Sequence, residues 1–344
     1  VKKLLNTLYV TTEGASLRKD GENLVADVEN EERARVPFHM LASVVVFGAV
    51  YVSPPLIQAL AARGITIVLL DRAGRFQARI EGPVSGNVLL RRAQYRVSER
   101  PTEIVRSFVS AKVANQRTVL QRSLRDYGEE MAVGLRSRIE AVVDRLAGIL
   151  RRVGMTDLDV EALRGAEGEA AFGYFSVFGS LIRVTDPEMQ FGGRSRRPPR
   201  DAVNAVLSFI YVLLTHDCRS AAEAVGLDPA VGFLHRDRPG RPSLALDLME
   251  ELRPVLADRL ALSLINRRQL RPRDFETQDG GATLLTDDGR RIVLTAWQDR
   301  KKEERQHPFL GETAQLGLVP YLQAQLLSRH LRGDLDAYPP YIWK

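Results

Sequence analysis

The apolar positions change period along the chain. Over the first ~85 residues, short runs rich in β-branched and apolar side chains recur at 7–12, 15–19, 24–28, 33–36, 43–47 and 65–70, which predicts strands. Glu13-Gly14 and Asp20-Gly21 fall between the first of these runs, where residues that tolerate positive φ are expected to turn the chain. One helix interrupts the series: Pro54 and Pro55 suit its first turn, Leu56, Ala59 and Leu60 form its apolar face, and Gly64 stops it. A further strand is expected at 76–80, and residues 82–86 look like a linker. From Val88 onward the spacing becomes three and four, as in 101–125 and 129–153, which predicts helices. A strand-like piece at 281–285 and an apolar run at 292–297 come later. The expectation is an α+β protein: a small β-rich domain over residues 1–86, then a larger mainly α-helical domain over 87–344.

Composition narrows the class. Hydrophobic residues make up 44% and charged residues 27% of 344, which is enough to fold two cores. No apolar run approaches the ~18 residues of a membrane span, so no membrane association is expected. Cys218 is the single cysteine, which precludes an intrachain disulfide and fits a reducing, cytoplasmic setting; after the apolar run 212–214 it is expected to be structural. The net charge is +6, and lysine occurs only at Lys2, Lys3, Lys19, Lys112, Lys301, Lys302 and Lys344. Arginine supplies the rest, with a planar fork suited to phosphate oxygens, although a GC-rich genome would produce the same bias.

Candidate chemistry concentrates in two segments. LRGAEGEAA sets Glu167 among Gly165, Ala166, Gly168 and Ala170 on a helix expected over 159–182, leaving room for another backbone or a bulky substrate. The bland reading is a surface glutamate on a helix packed through its glycines. The second segment, LDPAVGFLHRDRPGRPSLALDLMEELRP, brings His235 out of the apolar run 231–234 just before a polar turn. Pro242-Ser243 then starts a helix on which Asp247 and Glu250, three apart, share a face while Leu244, Leu248 and Leu252 cover another. Glu251 is also one turn from Asp247, and spacing does not choose between Glu250 and Glu251. One imidazole with two or three carboxylates suits Mg²⁺ or Mn²⁺ and suits zinc less well. Against this, acidic clusters are commonly solvated helix faces with arginine partners, and Arg253 is placed to be one.

Arginines gather at Arg91, Arg92 and Arg96; at Arg194, Arg196, Arg197 and Arg200; at Arg267, Arg268, Arg271 and Arg273; and around Arg300. Such groups can track phosphates or form ordinary solvated surface. The second group lies in GGRSRRPPR, expected to be a mobile loop. A divalent site with arginine groups points to phosphodiester chemistry. No phosphate-cradling glycine loop supports ATP use, and no serine or cysteine sits in a nucleophile elbow. His216 and His307 are expected to be structural, and His330 a surface residue or phosphate contact.

At these residues the chain resembles the Cas-one family of CRISPR-associated endonucleases and integrases. The resemblance rests on LRGAEGEAA, RPPRDAVNAVLSFIY, VGLDPAVGFLHRDRPGRPSLALDLMEELRP and SLINRRQL, in that order, and the late segments HPFLGETAQLGLVPYLQ and LRGDLDAYPPYIWK suggest subtype I-C. The resemblance implies one divalent metal on Glu167, His235 and Glu250, with Asp247 supporting catalysis; many members carry aspartate where Glu250 stands. It also implies a homodimer joined through the β-rich domains, a Cas-two dimer bridging two such dimers, and double-stranded and branched DNA as substrates. Arg194, Arg196, Arg197, Arg200, Arg267 and Arg268 are the candidate DNA contacts. The implied reaction is insertion of spacer DNA by 3′-hydroxyl attack on a phosphodiester. A non-catalytic DNA-binding scaffold with a structural acidic cluster, and a hydrolase of small phosphoesters, are the alternatives.

Overall fold

The alternating runs of the amino-terminal stretch are satisfied by two sheets. The computed structural model describes residues 6–10, 12–71, 76–82, 88–155, 157–195 and 197–343. Its strands are β1 (Asn6–Val10), β2 (Ser16–Asp20), β3 (Asn23–Val28), β4 (Glu31–Pro37), β5 (Leu41–Phe47), β6 (Tyr51–Val52), β7 (Thr66–Leu70) and β8 (Phe76–Ile80). Gly21, at φ +57°, turns β2 into β3, so that Asp20 pairs with Asn23. One sheet has the order β4-β3-β2-β6, antiparallel except for the short β2–β6 pair. The other is β1-β5-β7-β8, parallel through β7 and closed by antiparallel β8. The crossover from β5 to β7 runs through β6 and α1 (Pro54–Ala62). The inward apolar residues of these elements, among them Leu17, Leu24, Val44, Leu56, Leu60 and Ile67, make one core.

The chain divides into two compact units, Val1–Gly86 and Asn87–Lys344. Most of the expected linker, residues 83–86, lies outside the described residues. The second unit is mainly helical: α2 (Val88–Ser98), α3 (Thr102–Tyr127), α4 (Val133–Met155), α5 (Val160–Phe178), α6 (Ala202–Ala224), α7 (Ser243–Leu252) and α8 (Arg259–Asn266). A π-helical segment, Arg253–Asp258, joins α7 to α8. After them come β9 (Phe275–Thr277), β10 (Thr283–Leu285), α9 (Asp287–Lys302), β11 (Glu304–Gln306), β12 (Thr313–Gln315) and α10 (Val319–Leu331). The apolar run 292–297 is therefore the inner face of α9, which Thr286 caps through the Gly289 amide. The α+β organisation follows the periodicity of the chain. No helix among the described residues is long and apolar enough to cross a membrane.

Helix α3 is the centre of the second unit. It packs against α4, α5 and α7, and buries Ile104, Val105, Phe108, Val109, Val113, Val119 and Leu120. Each such side chain removed from water contributes about 1.5–3 kcal/mol. Lys112, Asn115 and Gln116 are buried on the same helix, polar residues inside an apolar packing surface. Asp159 caps the start of α5 by accepting from the Ala162 amide at 2.8 Å. Helix α5 ends at Phe178, and the last turn expected of it is a 3-10 turn, Gly179–Leu181.

Candidate metal centre

Three elements meet at the candidate residues: α3 brings Lys112, α5 brings Glu167, and α7 brings Asp247 and Glu250. His235 comes from the loop before α7. That loop is built around one carboxylate. Asp247, fully buried, accepts the Phe233 and Leu234 amides on Oδ2 at 2.6 and 3.0 Å, and the His235 amide on Oδ1 at 2.9 Å. The same Oδ1 lies 2.7 Å from His235 Nδ1. A buried carboxylate needs several donors to offset its desolvation, and the loop supplies them. In return the imidazole is fixed with Nε2 turned toward Glu250, 3.8 Å from Oε1.

Close contacts force the loop into this shape. A Cβ at Gly232 would sit 2.7 Å from the Ser243 side chain, 2.8 Å from the His235 carbonyl oxygen and 3.0 Å from Asp247 Oδ2. Upstream, buried Gln94 on α2 donates to the Asp228 and Val231 carbonyls at 2.8 Å each and accepts the Asp228 amide at 2.9 Å. Arg164, one turn before Glu167 on α5, donates to the Leu234 carbonyl at 2.6 Å. The histidine loop is thereby tied to α2, α5 and α7.

The tie between Glu250 and Glu251 is broken by direction. Glu250, with its side chain 3% exposed, faces His235 and Lys112, and Arg253 Nη1 lies 3.0 Å from its Oε1. Burial acts to raise Glu250, but Arg253 and Lys112 outweigh it and hold the carboxyl well below the usual carboxylate range. Glu251 faces the other way and accepts from the Tyr338 hydroxyl, the Tyr341 amide at 2.7 Å and Gln323 Nε2 at 3.1 Å. Burial pushes it up to about 7 against the pull of those donors. Glu251 therefore belongs to a packing network, which includes the His307–Gln323 hydrogen bond at 2.9 Å.

Glu167 is a quarter exposed, and its Oε1 receives the Lys112 ammonium. Lys112 Nζ also lies 2.5 Å from Glu250 Oε2, without hydrogen-bond geometry at that oxygen. Among the described residues no three His, Cys, Asp or Glu side chains converge closely enough to grip an ion as they stand; an ammonium stands between the two glutamates. The donor set nevertheless fits a divalent cation: two carboxylates, and an imidazole nitrogen whose partner nitrogen is held by a carboxylate. Gly165 and Gly168, on the exposed side of α5, have only open space where a Cβ would be. They do not pack the helix; they leave the surface beside Glu167 bare.

The arginines separate into two kinds. Arg194 turns inward: it donates to Asn204 Oδ1 at 2.6 Å and lies over the Tyr211 ring at 5.3 Å. Arg197, Arg200, Arg267 and Arg268 are exposed, and Arg196 lies outside the described residues. Cys218 is buried in α6, and burial raises its thiol well above the usual value. Sequence reasoning passed over Lys112, Gln94 and Arg164. Lys112, Asn115 and Gln116 had a legible signal, since polar residues at i, i+3 and i+4 interrupt the apolar face of α3.

Comparison with known proteins places the chain. A family model described as CRISPR associated protein Cas1 matches residues 8–299. The chain is 69% identical to CRISPR-associated endonuclease Cas1 2 of Rhodospirillum rubrum, with 100% of both chains covered. Among solved structures it resembles a casposase bound to integration product, at a TM-score of 0.83 and 22% identity, covering 99% of this chain and 95% of that one. It also resembles a chain of a Cas6-RT-Cas1–Cas2 complex at a TM-score of 0.82 and 22% identity, covering 100% of this chain and 36% of the other. At these identities the structures establish the shared fold.

Proposed function

The chain belongs to the CRISPR-associated protein Cas1 family, and on that premise we propose that it is a divalent-metal-dependent DNA endonuclease and integrase of CRISPR adaptation, acting in the cytoplasm. The observation that carries the reading is the fixed imidazole: Asp247 holds His235 Nδ1, which leaves Nε2 facing Glu250, with Glu167 across Lys112. Glu167, His235 and Glu250 would hold Mg²⁺ or Mn²⁺, and Asp247 orients the histidine. A cation bound there supplies Lewis acidity at a phosphodiester.

The chain's own residues do the rest. Glu167 stands at the solvent-facing edge of the site beside glycines that admit a backbone, while Glu250 and Asp247 are closed from water. The exposed Arg197, Arg200, Arg267 and Arg268 offer guanidinium forks to phosphate oxygens and would position double-stranded or branched DNA. A 3′-hydroxyl of the incoming strand attacks a phosphodiester at the repeat boundary; one phosphorus–oxygen bond forms as another breaks, so no ATP is consumed. Water in place of that hydroxyl makes the same site a nuclease. The likeness to a chain of a Cas6-RT-Cas1–Cas2 complex favours Cas2 as a partner, and the proposed assembly is a homodimer of this chain, two of which a Cas2 dimer would bridge.

The test is joining. With its Cas2 partner and Mn²⁺ or Mg²⁺, the protein is expected to join a short duplex to a repeat-containing plasmid, and Glu167→Ala and His235→Ala to abolish joining. Undiminished joining by both variants refutes the assigned site. Salt-sensitive DNA binding without any metal-dependent product would show a scaffold.

A further inference from the structure

Lys112 is buried within α3, yet its ammonium is in contact with both Glu167 and Glu250. The Glu167 and Glu250 carboxylates face Lys112 and Arg253, while the third carboxylate, Asp247, is turned to the histidine loop. Of the two glutamates, Arg253 is paired with Glu250, and it lies over the Tyr211 ring at 4.7 Å. Lys112 is the cation that lies between the two acids, on a flexible four-carbon stem. A divalent ion entering from the exposed Glu167 side would meet this ammonium at the position it must fill. Two cations on the same pair of carboxylates repel each other strongly at such separations.

We propose that Lys112 is an internal counterion that holds Glu167 and Glu250 together in the metal-free protein and competes with the divalent cation for them. The inference rests on the reading of these glutamates as metal ligands. Lys112 is a positioning residue: it sets the threshold at which the site loads, and it keeps the two opposed acids from forcing α5 and α7 apart before loading.

The experiment measures Mn²⁺ binding without DNA, by titration followed by electron paramagnetic resonance, for the full chain and its variants. Lys112→Met is expected to bind Mn²⁺ at least about ten-fold more tightly than wild type, because the competing charge is gone. Lys112→Arg, which keeps the charge, stays close to wild type. Because a tighter ligand raises the melting temperature more, Mn²⁺ should also stabilise Lys112→Met by a larger shift. A second measurement needs only the wild-type fold: the Lys112 Cε–H NMR signal is expected to leave its metal-free position as Mg²⁺ saturates the site. Mn²⁺ affinity that is unchanged or weaker in folded Lys112→Met, or an unmoved Lys112 signal in Mg²⁺-saturated protein, overturns this inference. If Glu167→Gln binds Mn²⁺ as wild type does, the metal-centre reading itself falls, and this inference with it. Loss of binding in Glu167→Gln with no change in Lys112→Met overturns this inference alone.

Discussion

Asp247 Oδ1 holds both the backbone amide of His235, at 2.9 Å, and its Nδ1, at 2.7 Å, so one oxygen sets the position and the orientation of the imidazole. Replacing Asp247 with Asn removes an acceptor from a set of converging donors. Mn²⁺ affinity should fall about 10–100-fold, the usual effect of losing a ligand's supporting carboxylate. Stability should fall by about 1–3 kcal/mol through the unmatched amides. Titration with Mn²⁺ and denaturant unfolding read the two effects separately; unaltered affinity would detach Asp247 from the histidine's role.

Gly232 is a steric prediction. Because an added Cβ meets Ser243, the His235 carbonyl and Asp247 together, Gly232→Ala should cost about 1–3 kcal/mol and displace the loop. Chemical denaturation measures the first, and faster amide exchange at Phe233 and Leu234 reports the second. The same substitution at Gly165, which has open space around it, should be tolerated or raise helix stability.

Asp258 makes stability depend on pH. It is buried beneath the Tyr211 hydroxyl at 2.6 Å, and burial pushes it up from 3.8 to about 6 against the pull of that bond. A carboxyl raised in the folded state favours folding while protonated, so its contribution is complete below pH ~4 and is lost as pH rises through about 6. Asp258→Asn, which does not titrate, should therefore gain about 2 kcal/mol relative to wild type between pH 4 and 7. Unfolding curves for both proteins at those two values check the sign; a constant difference would show that Asp258 ionises normally.

Tyr338 and Asn115 fasten the segment that lies over α3 and α7. Tyr338 donates to Glu251 Oε1 at 2.5 Å; Asn115 donates to the Glu251 and Tyr341 carbonyls at 2.7 and 2.8 Å and accepts the Trp343 amide at 2.8 Å. Tyr338→Phe should cost about 1–3 kcal/mol, and Asn115→Ala at least as much, since each strands buried polar groups. Thermal or denaturant melts decide; no loss in either variant would mean that the network is slack.

Much of this was legible in the chain, and the rest was hidden for physical reasons. Gly21, Pro54 and the changing apolar period are local signals, and they foretold the turn, the helix start and the α+β division. The split into two sheets was not legible, because pairing β1 with β5 and β2 with β6 depends on contacts far apart in sequence. Glu250 and Glu251 are adjacent, and only the neighbours of α7 show that one turns to His235 and the other to Tyr338. Arg194 illustrates the opposite error: a basic run reads as a surface patch, yet this guanidinium is drawn inward by Asn204. Lys112 shares its spacing signal with Asn115 and Gln116, which marks a polar break in the apolar face of α3 but does not show which acids it meets; those lie 55 and 138 residues further along the chain.

The ties that build the site differ greatly in span. His235 and Asp247 are 12 residues apart, whereas Lys112 and Glu167 are separated by 55 and Arg164 reaches Leu234 across 70. Closing the short span needs only α7 and the loop before it, while the longer ones need the helices to have packed around α3. His235, Asp247 and Glu250 thus belong to one local segment, and Glu167 and Lys112 join them from distant helices. The local segment therefore lacks Glu167 and Lys112 until α3 and α5 have packed against it. Competence at this centre is in that sense a checkpoint on the whole helical unit.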